Sequence, residues 1–108
     1  MVRKKFHKLV RDRIPEIIRT NGEEAVTKKL LKKEFRTALK EKLLEESLEV
    51  AQASHKGALL KELADVHEVL RAIMVEWKLT TKDVGRVRKE RLKKRGGFVK
   101  KIFLIETK

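Results

Sequence analysis

Between positions 32 and 78 the apolar residues recur at helical spacing twice over, and only His55-Lys56-Gly57 separates the two runs. Phe35, Leu39, Leu43, Val50 and Ala53 form the first stripe, and Leu59, Val66, Val69 and Ile73 the second. A connection this short obliges the helices to fold back on each other, so the chain must contain an antiparallel helical hairpin. The expected helices run from near 32 to about 54, with Gly57 as the break, and from about 58 to 78. Thr80 with Asp83 three residues on resembles a capping box and opens a third helix, which ends at Arg95 before Gly96-Gly97. Pro15, the only proline, suits the first turn of a short helix over 16–21 that Gly22 stops. Residues 25–31 and the tail 99–106, which holds Ile102, Phe103, Leu104 and Ile105, read as two short strands paired with each other. The expected fold is therefore mainly α: a helical bundle built on the two-helix hairpin plus a third helix, with a minor terminal β pairing. The 108 residues fit one domain over 1–108.

The acids lie where a hairpin of this kind ought to be apolar. At about 100° per residue, Leu39, Leu43, Val50 and Ala53 all fall within about 60° of Glu46, and Glu49 sits at the edge of that stripe. On the second helix Leu59, Val66, Val69 and Ile73 fall within about 60° of Glu62, with Asp65 at the edge. Each helix thus aims a carboxylate pair, spaced i and i+3, at the face where the two meet. Four desolvated carboxylates repel one another and are costly unless something compensates. A divalent cation does so directly, and hard oxygen donors suit Mg²⁺ or Mn²⁺, ions that also bind phosphates. Acids at this spacing often do no more than solvate a helix. Two such pairs inside apolar stripes on adjoining helices weigh toward a metal site.

The third helix is complementary. With Val84 as origin, Val87, Arg88, Arg91 and Arg95 lie within about 60° of it, while Lys82, Arg86, Lys89 and Lys93 lie opposite. Inward arginines need anionic partners, either protein carboxylates or phosphates.

The overall charge of +13, from 29 Lys and Arg against 16 Asp and Glu, admits a nucleic acid or a small polyphosphate as partner. It is a difference between two parts. Residues 41–76 hold eight acids and four basic residues, a net of −4, and the remainder is +17. Abundant Lys and Glu with one Asn and one Gln resembles hyperthermophile composition, which accounts for part of the charge without a partner. The absence of cysteine excludes disulfides, thiolate zinc sites and thiol nucleophiles, and the cytoplasm is the expected compartment. No apolar run approaches the roughly 20 residues of a membrane helix, and no apolar stretch follows the basic start Met1-Val2-Arg3-Lys4-Lys5 to make a signal peptide. Ser47 and Ser54 lack the context of a triad, and His7, His55 and His67 show no ligand spacing. Gly96-Gly97 reads as a turn and not a phosphate loop. Phe6, Phe35, Trp77, Phe98 and Phe103 are the only aromatics that can stack on a base, and each serves equally as packing.

Glu45-Glu46-x-x-Glu49, then 12 residues, then Glu62-x-x-Asp65 resembles the EExxE…ExxD signature of the all-α NTP pyrophosphatases, the MazG-like superfamily. The stretch His7-Lys8-Leu9-Val10-Arg11-Asp12-Arg13-Ile14-Pro15-Glu16-Ile17-Ile18 is similar to the KLVRDKIPEII opening of a small single-domain branch. Arg95-Gly96-Gly97-Phe98 and Lys101-Ile102-Phe103-Leu104 resemble that branch's ending, so the likeness spans nearly the whole chain. The resemblance implies Mg²⁺-dependent cleavage of a nucleoside triphosphate to the monophosphate and pyrophosphate, in the house-cleaning of damaged or modified nucleotides. It implies Glu46, Glu49, Glu62 and Asp65 as metal ligands. Glu45 supports them or orients the attacking water. Lys8, Arg11 and Arg95 are implied phosphate contacts, while Arg88 and Arg91 rest on the wheel alone. It also implies a homodimer or larger assembly. Two other functions compete: a basic nucleic-acid-binding module, and a regulator that binds a nucleotide without hydrolysing it.

Overall fold

A computed structural model describes residues 3–108; Met1 and Val2, which begin the basic N-terminus, lie outside the described residues. Four helices follow in order: α1 (Ile14–Thr20), α2 (Lys32–Gln52), α3 (Lys56–Glu76) and α4 (Thr81–Arg95).

Local chemistry sets the ends of each helix. Pro15 lies in the first turn of α1, and Gly22 at φ 84° closes it, with Glu23 N–H donating to the Ile18 carbonyl. The Glu34 carboxylate accepts from Leu31 N–H at the head of α2. The connection between α2 and α3 is Ala53–Ser54–His55, two residues earlier than the sequence indicates. Gly57 does not break the helix, because His55 Nδ1 accepts from Ala58 N–H at 3.2 Å and starts α3 ahead of it. Thr80 and Asp83 form the expected capping box on α4, at 3.0 and 2.9 Å.

The α2–α3 hairpin is the one substantial helix pair among the described residues. Leu39 (2% exposed) and Val69 (9%) are its buried apolar side chains, and Phe35, Leu43, Val50, Val66 and Ile73 flank them half-buried. At the open end, Arg36 pairs with Glu76 at 3.2 Å, and Arg36 and Lys40 sit over the Trp77 ring at 5.0 and 5.3 Å.

The terminal β pairing is not found: no strand occurs among the described residues. Val26 is 93% exposed, and Lys101 adopts φ 58° as its N–H donates to the Phe98 carbonyl, a turn that interrupts the run of 99–106. Two short strands with nothing to cover a face have little to stabilise them.

α4 is a third helix but not a member of a closed bundle. The radius of gyration is 18.4 Å, against about 13 Å for a compact chain of this length. The long axis measures 62 Å. A 21-residue helix followed end to end by one of 15 residues spans about 54 Å. α4 therefore runs on beyond the open end of the hairpin. No described helix is long and apolar enough to cross a membrane.

Candidate metal centre

The four expected carboxylates converge. Glu46, Glu49, Glu62 and Asp65 each place one carboxylate oxygen within 4.8 Å of the others. The geometry follows from the hairpin: i and i+3 on antiparallel helices bring the second pair opposite the first. Glu46 is buried, Glu62 and Asp65 are half-buried, and Glu49 opens to solvent.

The buried part of the cluster is electrostatically unsatisfied. Glu46 Oε2 and Glu62 Oε2 are both out of contact with solvent and have no hydrogen-bond partner. Burial first, and then the nearby Glu49 carboxylate, push the Glu46 carboxyl above its ordinary range; Lys42 opposes them. Orphaned acceptors of this kind call for a cation. Opposite oxygens around Mg²⁺ lie about 4.2 Å apart, and a group of oxygens all within 4.8 Å of one another is of that size. The all-oxygen donor set fits a hard divalent cation; it does not by itself choose which.

Basic residues ring the cluster. Lys42, whose side chain is 15% exposed, lies 3.3 Å from Glu45 and 3.4 Å from Glu46. Lys8 reaches Glu45 at 3.5 Å, and Arg11 reaches Asp65 at 3.5 Å, so the segment before α1 lies across the carboxylates. Left-handed His7, at φ 45°, bends the chain immediately ahead of Lys8.

The structure thus brings Glu45, Glu46, Glu49, Glu62, Asp65, Lys8 and Arg11 together. It does not bring Arg88, Arg91 or Arg95 to them. All three are exposed and in no ion pair among the described residues, and Val84 and Val87 on the same face are 42% and 43% exposed. Among the described residues the face that the sequence turns inward packs on no other helix to any substantial extent, because α4 projects past the hairpin. His67 is exposed. Lys42 escaped the sequence reading, although its i+3 and i+4 spacing to Glu45 and Glu46 was there to find.

An all-α hairpin bearing EExxE on one helix and ExxD on the other defines a protein of the MazG-like NTP pyrophosphatase superfamily. Within it, residues 3–91 match the family model described as phosphoribosyl-ATP pyrophosphohydrolase, and the chain belongs to that family. No curated protein and no solved structure matches the chain.

Proposed function

We propose that the protein is a divalent-cation-dependent pyrophosphohydrolase. It cleaves a nucleotide triphosphate between the α- and β-phosphates, and phosphoribosyl-ATP, named by its family, is the first substrate to consider. The observation that carries this reading is the pair of orphaned buried oxygens, on Glu46 and Glu62, within a four-carboxylate cluster. Repulsive and partly dry, such a cluster has a physical reason to persist only if a cation occupies it.

Glu46, Glu49, Glu62 and Asp65 would hold Mg²⁺, or Mn²⁺ in its place. When bound, the ion neutralises charge on the phosphate oxygens and assists attack by water. The residues do the rest. Lys8 and Arg11, now paired with Glu45 and Asp65, exchange those carboxylates for phosphate oxygens when the nucleotide arrives. Release of Lys8 leaves Glu45 paired with Lys42 alone, with its second oxygen available to orient the incoming water and take its proton. One water is consumed, the α–β anhydride bond breaks, and the products are a monophosphate and pyrophosphate. No protein nucleophile is required.

The assembly is at least a homodimer. Leu44, Leu48 and Leu60 are 73%, 58% and 70% exposed, which leaves the hairpin without a covered outer face.

The test incubates the protein and Mg²⁺ with phosphoribosyl-ATP, ordinary nucleoside triphosphates and damaged ones, and assays pyrophosphate. Pyrophosphate release from one class, reduced at least ~100-fold by Glu49→Gln, is the expected result. Release of orthophosphate, or activity indifferent to Glu49→Gln, would reject the mechanism.

A further inference from the structure

The metal centre leaves the open end of the hairpin unexplained. There Lys32, Lys33, Arg36, Thr37 and Lys40 of α2 line a groove of about 400 Å³ with Trp77. That volume suits a small ligand. Four of the six residues are cations. Lys32, Arg36 and Lys40 follow one another at i, i+4 spacing, where like charges repel. Little in the chain offsets them. Among the described residues Lys32, Lys33 and Lys40 form no ion pair. Glu76 is the one acid that reaches the group, and it takes only the Nε–H of Arg36, which leaves the two terminal nitrogens of the guanidinium without a partner among those residues.

The groove also has an aromatic wall. The Trp77 ring lies 5.0 Å from the Arg36 guanidinium and 5.3 Å from Lys40 Nζ, so a π surface and a concentration of positive charge occupy one place. A nucleotide has the two matching halves. Its base stacks on an indole or a guanidinium plane, and its phosphates take ammonium and guanidinium donors. The groove is not an outer part of the metal centre. Measured from Glu46 around α2, Arg36 and Lys40 fall at about 80–120°, whereas Glu45 and Glu49 fall at about 260–300°. Around α3, Trp77 lies about 60° from Glu62 in one sense, and Asp65 about 60° in the other. In an antiparallel pair both helices carry equal senses to the same face. The carboxylates that Lys8 and Arg11 cross therefore open on one face of the hairpin and the groove on the reverse, with Arg36 about 15 Å along α2 from Glu46. A single nucleotide cannot occupy both.

We propose that this groove is a second nucleotide site, which binds a nucleoside di- or triphosphate without metal. The base lies against Trp77 and Arg36, and the phosphates lie on Lys32, Lys33 and Lys40. The one carboxylate cluster able to hold a metal among the described residues is on the other face, so nothing here activates water and the ligand is released unchanged.

Trp77 is the only tryptophan and the chain has no tyrosine, so its fluorescence reports on this groove. The full-length protein is titrated with ADP in EDTA, which stops turnover at the metal centre. A saturable change in Trp77 emission with a dissociation constant below about 1 mM is expected. Adenosine alone and pyrophosphate alone should each bind at least ~10-fold more weakly, since each supplies half of the contacts. Lys33→Ala with Lys40→Ala should weaken ADP binding at least ~10-fold with helical circular dichroism retained, and Lys8→Ala with Arg11→Ala, on the opposite face, should leave it unchanged. No saturable change up to about 1 mM ADP would overturn the proposal. So would equal binding by the Lys33 and Lys40 variant, loss of binding in the Lys8 and Arg11 variant, or pyrophosphate binding as tightly as ADP. A single-stranded oligonucleotide that bound where ADP did not would also overturn it, in favour of a strand-binding surface. Because the titration needs no metal and no turnover, its result stands apart from the pyrophosphohydrolase reading.

Discussion

At the residue scale, Glu46 is where stability and activity pull in opposite directions. Its carboxyl is desolvated and faces Glu49, so the folded protein without metal prefers it protonated. The sign follows from linkage. A carboxyl raised above its ordinary 4.5 contributes stability at pH below that value and loses it as pH climbs through the raised one. In EDTA the thermal midpoint of the wild type should therefore fall, relative to Glu46→Gln, as pH rises through the weakly acidic range. Thermal melts of both proteins across that range check it; a gap that stays constant, or moves the other way, would contradict the assigned environment. Metal should reverse the trend, because a bound cation requires the ionised form and its affinity rises over the same interval. Lys42 belongs with Glu46, since among the described residues it is the one cation that reaches two carboxylates of the motif.

At the scale of elements, the hairpin and its cluster were legible in the sequence because everything that makes them is local. Helical spacing, a three-residue connection and two i, i+3 acid pairs suffice to place Glu46, Glu49, Glu62 and Asp65 together. Thr80 and Asp83 were legible for the same reason. The strands were not, because a pairing between 25–31 and 99–106 needs partners some 70 positions apart, and the turn at Lys101 leaves no register to hold them. Nor was the end of α3. Leu79 N–H donates to the Met74 carbonyl and Lys78 N–H to the Val75 carbonyl, a C-terminal cap that puts Lys78 in the left-handed region at φ 55°. A lysine there costs about 1 kcal/mol that glycine does not. Lys78→Gly should therefore raise stability by about 1 kcal/mol in urea melts without changing activity; a loss of stability would mean that the lysine side chain has an undetected partner.

For the whole molecule, the sequence told which residues avoid water but not what covers them. The wheel turned Val84, Val87 and the α4 arginines inward, and among the described residues no helix packs substantially against that side. Helix docking depends on surfaces distant in sequence, which a helical wheel does not register. With Leu39 and Val69 the only buried apolar residues among those described, an isolated chain has little to oppose the entropy of the unfolded state. Folding and association should accordingly be coupled. The thermal midpoint should rise with protein concentration over the range in which sedimentation shows dimer forming. A midpoint independent of concentration, in a protein shown to be monomeric, would contradict this picture of the assembly.

The proposed chemistry requires the four carboxylates to hold a divalent cation, and titration with Mn²⁺, followed by the spin-resonance signal of the free ion, measures this. Wild-type protein should remove the signal with saturation at a fixed number of ions per chain, Mg²⁺ should compete, and Glu49→Gln should weaken binding at least ~10-fold while the helical content is unchanged. Binding of equal strength in the variant, or none in the wild type, would contradict the metal centre and with it the proposed chemistry.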